Sequence, residues 1–507
     1  MRGLLRSLLK RECQKLISRH DEYLRDLDES TKRKARRLGS VVDKEIRRPS
    51  YWSLDPRFDP FKTRSRQKLD LYSYTLARKI RDHTYRPECA VTHRVPKEGS
   101  EDRELAVFQL PDAAVSLSVY YSLLHKNISR LSGHAYAYRS DRGAHDAVHD
   151  VASEWRNRDR VYVAEFDFSR FFDNIDHHYL RTVLNRQNFL YTPEEEHIVR
   201  VFLESETATQ ADYLTGSHTQ RVKGIPQGSA ISLILANLAC WELDRALERV
   251  GVGFCRYADD TLLWSDSYDK VVRAYDTIYE YSIKMGVPIN PTKSPGISLV
   301  HTHERAEICA KRSVDYLGYR ISCRHVSIKE ARVAKIKEKI SYLLYSNLLQ
   351  PLHADIYNDS RLGELDWDYY TALLQLRRYL YGGLTDEKLA RYIRGQIPDL
   401  HFRGLMSYYP LVDDDEQLSS MDAWLRHVLR QSLRRRERLW RTHTGCALPG
   451  PRADWVEDVT HLGVWEDSGG QTYDLRVPSF LLINRAMRLA LRQSGISAVT
   501  NPQSSYY

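Results

Sequence analysis

Residues 254–264 read "FCRYADDTLLW", which sets two aspartates, Asp259 and Asp260, side by side between two apolar segments. A plain turn accounts for an Asp, whose side chain bonds its own backbone. This turn, however, has no Gly and no Asn-Gly or Asp-Gly pair, the usual solution for a tight hairpin. Two adjacent carboxylates in a half-buried place repel each other and lose hydration unless a cation neutralises them. The pair therefore reads as part of a metal site, with further ligands expected elsewhere in the chain.

Working outward, "RVYVAEFDF" (160–168) alternates and is β-rich, a strand by pattern, with Asp167 at its end. "SAISLILANLACWELDRALERVG" carries apolar residues at helical spacing and stops at Gly251, predicting one helix. After the hairpin, "SYDKVVRAYDTIYEYSIKMG" predicts a second helix ending at Gly286, followed by short strand-like pieces at "VPIN" and "VDYLGYRIS". This β-α-β-β-α-β order is the split βαβ arrangement, an antiparallel sheet with helices on one face. In that sheet the end of the first strand and the hairpin tip can lie side by side. Asp167, Asp259 and Asp260 could then converge. Taken alone, Asp167 reads as a capping or loop aspartate. Three converging carboxylates can hold two Mg²⁺ ions, which clamp the attacking and leaving oxygens in nucleotidyl transfer.

At 507 residues the chain is too long for one core. No run approaches the roughly 18 apolar residues of a membrane helix, so no membrane partner is expected. The opening "MRGLLRSLLKRECQKLISRH" is broken by Arg6, Lys10 and Arg11 and reads as an amphipathic basic helix rather than a signal peptide. Seven cysteines without a CxxC pair argue against a zinc module and for a reducing, cytoplasmic setting. The net charge of +9 suits a polyanionic partner without proving one. Arg426, Arg430, Arg434 and Arg438 recur every four residues beside Leu425, Leu429 and Leu433. That is a basic row on a docked helix, read as a solvated face or, if the catalytic part handles nucleic acid, as a phosphate-tracking ridge. "HDAVH" (145–149) has the spacing of a zinc-protease helix, but with Asp in place of Glu and no third ligand evident.

"VKGIPQGSAISLILANL" (222–238) fixes an irregular loop with Gly224, Pro226 and Gly228 directly before a helix. With this loop in place, "FDFSRFFDNIDH", "GIPQGSAISLILAN", "YADD", "MGVPINPTK" and "YLGY" occur in the order of motifs A to E of reverse transcriptases, which the chain resembles over about residues 70–320. The resemblance implies that Asp167, Asp259 and Asp260 are catalytic and bind two Mg²⁺ ions, Mn²⁺ being able to substitute, with the Phe168 carbonyl as a further ligand. It places Phe172 at the steric gate that favours dNTPs, and Gln227 against the incoming nucleotide or template. Lys293 matches the motif D lysine at the leaving pyrophosphate, and Lys97 and Arg103 lie in the hairpin that grips the triphosphate. Many relatives have Ser-Pro where this chain has Ser232-Leu233, a departure that leaves the metal chemistry untouched and argues against membership of the intron or retroviral branches.

The implied fold is α+β, a right-hand polymerase with fingers and a split βαβ palm, a helical thumb and a mainly helical C-terminal extension. The expected divisions are a basic helical region (1–60), fingers (61–155), palm (156–320, with part of 185–220 in the fingers), thumb (321–400) and extension (401–507). The tail resembles those of bacterial unknown-group, defence-associated reverse transcriptases, and by length the type nine class that makes poly(A)-rich DNA. That resemblance implies a noncoding RNA as template or scaffold, DNA as product, and protein priming from Ser504, Ser505, Tyr506 or Tyr507. Homo-oligomerisation is left open. The alternatives are a mobile-element or intron-type enzyme, or a polymerase-shaped RNA-binding scaffold. A nucleotide cyclase on the same sheet is more remote, because it would lack motif B and the fingers.

Overall fold

The computed structural model describes residues 1–39, 43–46, 55–96, 102–186, 189–301, 310–357, 365–448 and 463–499, together with Leu362 and Val456. The chain packs as two compact units. The first comprises residues 1–28, 44–147 and 160–311, and the second residues 29–43, 148–159 and 312–507.

The first unit is built from α1 (Arg2–Leu38, through residue 28), α2 (Arg66–Arg81), β1 (Ala90–Val95), β2 (Arg103–Val107), α3 (Leu110–Asn127), the start of α4 (Ala144–Trp155) and β3 (Arg160–Phe166). It continues through α5 (His177–Arg186), α6 (Pro193–Leu203), β4 (Glu206–Ala208), β5 (Thr219–Gln220), α7 (Ile231–Ala239), α8 (Trp241–Val250), β6 (Gly253–Tyr257), β7 (Asp260–Ser265), α9 (Tyr268–Met285), β8 (Ile297–His301) and β9 (Ala310–Lys311). Five strands form the central sheet in the order β6-β7-β3-β8-β9. β3 pairs antiparallel with both β7 and β8, as the split βαβ pattern predicts. A smaller sheet, β2-β1-β4-β5, carries the β1–β2 hairpin.

The hairpin strands are buried on both faces: Phe254 and the consecutive Leu262, Leu263 and Trp264 are all buried, and α9 covers the sheet with Tyr275 against Phe166 at 4.9 Å between ring centroids. Gly253 lies opposite Trp264, and any Cβ there would collide with the indole. The basic first helix buries Leu5, Leu8, Leu9, Cys13 and Ile17 along one stripe, which is why a polar sequence still docks.

Two local expectations change. The single helix expected to stop at Gly251 is two, α7 and α8, meeting at Cys240. The "VPIN" piece is not a strand, since only Ile289 makes an isolated bridge, to Phe168. Pro288 and Pro291 have no N–H to donate to a ladder. The strand of that region is β8, further along.

The second unit opens with a three-stranded sheet, β10 (Val314–Tyr316), β11 (Tyr319–Ile321) and β12 (Val326–Ile328). Leu317 and Gly318 both take positive φ, 48° and 85°, as a type I′ hairpin needs. Helices α10 (Glu330–Leu344), α11 (Trp367–Tyr381), α12 (Asp386–Ile393), α13 (Asp415–Thr444) and α14 (Phe480–Ser494) follow, with a hairpin of β13 (Val464–Glu466) and β14 (Thr472–Asp474) between the last two. Asp422 of α13 accepts from Ser479 Oγ and Phe480 N, both at 2.6 Å, and so ties down the start of α14.

Candidate active site

β3 and β7 are paired in register up to Phe166 and Thr261, so the next residues, Asp167 and Asp260, emerge at the same end of the sheet. The β6–β7 turn is Ala258-Asp259. Ala258 takes φ +60°, a value normally left to glycine at the first centre of a type II′ turn. What holds it there is Arg256. Its guanidinium donates to the Ala258 carbonyl at 3.0 Å and to Asn237 at 3.3 Å, and forks onto both oxygens of Asp244 at 2.7 and 2.6 Å. The pair is almost wholly buried, at 1% and 2% exposure. Sequence reading missed it, although an arginine inside the apolar strand "GFCRY" is itself the signal for a buried acidic partner.

The carboxylates at this tip interact. Crowding by the surrounding chain, then the charges of Asp259 and Asp167, push the Asp260 carboxyl up to about 7, with Lys293 pulling the other way. Burial contributes most to this shift and the two like charges add to it, although part of the Asp260 side chain stays open to solvent. Asp167 is clamped by the loop after α9. Asn290 N donates to its carbonyl at 2.8 Å, Lys293 Nζ meets its Oδ2 at 2.8 Å, and its own N–H donates to Ser294 Oγ at 3.1 Å. Among the described residues no three His, Cys, Asp or Glu side chains are gathered closely enough to enclose an ion. The Lys293 ammonium is the cation on Asp167 in this arrangement. The donor chemistry nevertheless fits a hard divalent cation: three carboxylates, one held partly protonated by its neighbours, beside the backbone of Phe168.

The glycine-rich loop packs against this tip. Gly224 N donates to Ile175 O at 2.9 Å and Ile225 N to Phe172 O at 2.6 Å, while Ala106 N of β2 donates to Gln227 O at 2.6 Å. A Cβ on Gly224 would strike the Asp173 carbonyl, and one on Gly228 the Ala106 carbonyl. Both glycines also hold positive φ, 77° and 117°. Gln227 reaches Asp173 at 3.4 Å, and the buried Ser232 hydroxyl closes the loop on Pro226 O at 2.6 Å. Phe172 is half-buried, edge-on to Phe171 and Tyr138.

Residues 114–321 match the sequence profile of the family described as reverse transcriptase (RNA-dependent DNA polymerase). The chain carries a reverse transcriptase domain. It is similar to Protein YkfC of Escherichia coli K12, 23% identical over 257 residues, 42% of this chain and 65% of that protein. It is also similar to the retron Ec86 reverse transcriptase of Escherichia coli, 38% identical over 74 residues, 14% of this chain and 23% of that enzyme. The chain thus spans less than two thirds of either relative. Among solved structures, telomerase from Candida albicans in complex with a TWJ fragment of telomeric RNA is similar at 13% identity and a TM-score of 0.38, over 78% of this chain and 68% of that one. Apo telomerase from Candida tropicalis is similar at 11% identity and a TM-score of 0.39, over 71% and 59%.

Ahead of the matched residues, Arg103 starts β2, exposed and opposite Val95, on the strand whose Ala106 holds the Gln227 loop. Lys97 lies outside the described residues, as do Ser504, Ser505, Tyr506 and Tyr507. In the second unit, Arg426, Arg434 and Arg438 of α13 are exposed and Arg430 half-buried, while Leu425, Leu429 and Leu433 are buried. Arg436, outside that row, points inward and pairs with Asp366. The "HDAVH" stretch begins α4, where Asp146 accepts the Gly143 N–H at 2.7 Å as a cap. Among the described residues no helix is long and apolar enough to cross a membrane.

Proposed function

We propose that this chain is an RNA-directed DNA polymerase whose chemistry is done at the β6–β7 tip. The observation that carries this reading is the strand register that brings Asp167 to the same end of the sheet as Asp259 and Asp260, in a chain with a reverse transcriptase domain. Two Mg²⁺ ions, or Mn²⁺, held by Asp167, Asp259, Asp260 and the Phe168 carbonyl, would supply Lewis acidity at the attacking and leaving oxygens. The chain's own groups do the rest. A terminal hydroxyl gives up its proton to water and attacks the α-phosphorus of a dNTP, a P–O bond forms, and the bond to pyrophosphate breaks. Lys293, which stands beside Asp167, would hand a proton to the departing pyrophosphate. Phe172 would wall off a 2′-hydroxyl, and Gln227, Arg103 and Lys97 would hold the nucleotide.

The finer reading is a bacterial anti-phage reverse transcriptase that copies a noncoding RNA, with Ser504, Ser505, Tyr506 or Tyr507 as priming hydroxyl and poly(A)-rich DNA as product. The short likeness to the retron enzyme supports a bacterial lineage of this kind. The exposed Arg426, Arg434 and Arg438 would track the nucleic-acid backbone. The test is incorporation of labelled dNTPs, singly and together, by protein purified with its co-purifying RNA, in Mg²⁺. Incorporation by wild type and none by Asp259→Ala supports the polymerase. Equal signals from both would refute it. Nuclease-resistant label on the last four residues would support protein priming.

A further inference from the structure

The helical layer of the first unit holds a cavity of about 620 Å³ lined by Ser129, Arg130, Trp241, Glu242, Arg245, Arg249 and Tyr281. None of these belongs to the elements that carry the three aspartates. Trp241, Arg245 and Arg249 follow one another at four-residue steps along α8, so they share one face of that helix. The wall is rigid. Arg245 lies over the Trp241 ring at 5.5 Å, donates to Glu248 at 2.7 Å, and donates to the Arg130 carbonyl at 2.6 Å. Trp241 Nε1 donates to the same carbonyl at 2.8 Å. Beside the lining Tyr281, Lys284 stands 4.4 Å over the ring while paired with Glu280 at 2.6 Å. The lining holds three arginines and one acid, Glu242; with Arg245 paired to Glu248, Arg130 and Arg249 still outnumber Glu242, so the site is net positive. Arg249 is exposed, with no partner among the described residues. Guanidinium groups fixed beside aromatic rings are the chemistry that holds a phosphate and stacks the adjoining base.

We propose that this cavity is a second nucleic-acid contact, which seats one phosphate of a single-stranded RNA among Arg130, Arg245 and Arg249 and stacks the next base on the Arg245–Trp241 pair. The proposal rests on the polymerase reading and deepens it, because it anchors the RNA partner away from the site of synthesis. Arg245 already lies over Trp241 and is held at two of its nitrogens, so little side-chain freedom is lost on binding. Arg249 can close over the phosphate from the rim.

The test is fluorescence anisotropy of a labelled single-stranded RNA of about 20 nucleotides with the full chain, across a salt series. Wild type is compared with Arg249→Glu, Arg130→Gln and a charge-matched control, Arg66→Glu, at an exposed arginine of the same unit. The expected result is about tenfold weaker binding for Arg249→Glu, with the slope of log affinity against log salt reduced by about one. A smaller loss is expected for Arg130→Gln, and near-wild-type binding for Arg66→Glu. RNA carrying 4-thiouridine should crosslink to the Trp241–Arg249 peptide, and less so in Arg249→Glu. Equal losses at Arg249 and Arg66, or crosslinks confined to other peptides, would overturn the proposal. So would protection of this peptide by ATP with RNA binding unchanged, which would give the cavity to a free nucleotide. None of these readouts depends on synthesis, so failure of the polymerase reading would show separately, as absent incorporation with the RNA results intact.

Discussion

Two places in this protein concentrate charge, and they treat it in opposite ways. In the second unit Arg436 and Asp366 are buried to 3% and 1% exposure, with the guanidinium on the carboxylate at 2.5 Å. Asp366 also accepts the N–H groups of Asp368 and Tyr369, both at 3.0 Å, as the cap of α11. Arg436 and Asp366 there neutralise each other within the chain. At the β6–β7 tip, carboxylates gather with a single lysine, itself half exposed, against them. The result is an Asp260 carboxyl raised to about 7 rather than lowered. A buried pair that is complete contributes to the fold, whereas a carboxylate group left short of positive charge suits a cation from solution.

The comparison is broken most severely at the tip. Asp259→Ala should lower the rate of nucleotide incorporation by about a thousandfold or more, since metal stabilisation of developing charge amounts to several kcal/mol. Its melting temperature, taken without added Mg²⁺, should stay level or rise, because a repulsive charge is gone. Arg436→Ala should do the reverse, destabilising the second unit by about 3–5 kcal/mol by stranding Asp366. Urea unfolding checks this, and pairing it with Asp366→Asn should recover part of the loss.

Arg256→Lys lies between the two. It keeps the charge opposite Asp244 but loses the fork that holds the Ala258 carbonyl, so the turn loosens. A fall in kcat of about a hundredfold with little change in KM for dNTP is expected. An equal rise in KM would show that Arg256 is not a positioning residue.

Asp112 sharpens the contrast at smaller scale. It is buried in α3 with hydrogen bonds from Tyr85 Oη at 2.8 Å and Glu88 N at 3.1 Å but no paired cation among the described residues, and burial raises its carboxyl to about 7. With the folded value above the unfolded one, its contribution is fully present below about pH 4 and is lost as pH rises to 7. Asp112→Asn should therefore flatten the fall in stability between pH 4 and 7 by up to about 1.4 kcal/mol per pH unit, read as urea midpoints for both proteins. Least of all, Arg434→Gln should leave stability unchanged within about 0.5 kcal/mol and reduce the salt slope of RNA binding by about one.

Much of the tip was legible in the sequence. Asp167 ends an alternating strand, the aspartate pair sits on a turn, and both the order of elements and the glycine positions have direct counterparts in the packing. What escaped notice needed partners distant in sequence. Arg256 finds Asp244 on α8, and that helix had been read as one with α7, because a smooth apolar period hides the break at Cys240. Lys293 was placed by its motif at the pyrophosphate, but its contact with Asp167 depends on how the 290–294 loop folds back. The inward turn of Arg436, among arginines that face outward, depends on Asp366 some seventy residues earlier.

The most direct measurement is Mn²⁺ binding to the purified protein, followed by the loss of free-ion electron paramagnetic resonance signal, in wild type, Asp259→Ala and Asp167→Asn. Saturable binding by wild type that weakens at least tenfold in both variants is the expected result. Binding of the same strength in all three proteins would contradict a metal site at the β6–β7 tip.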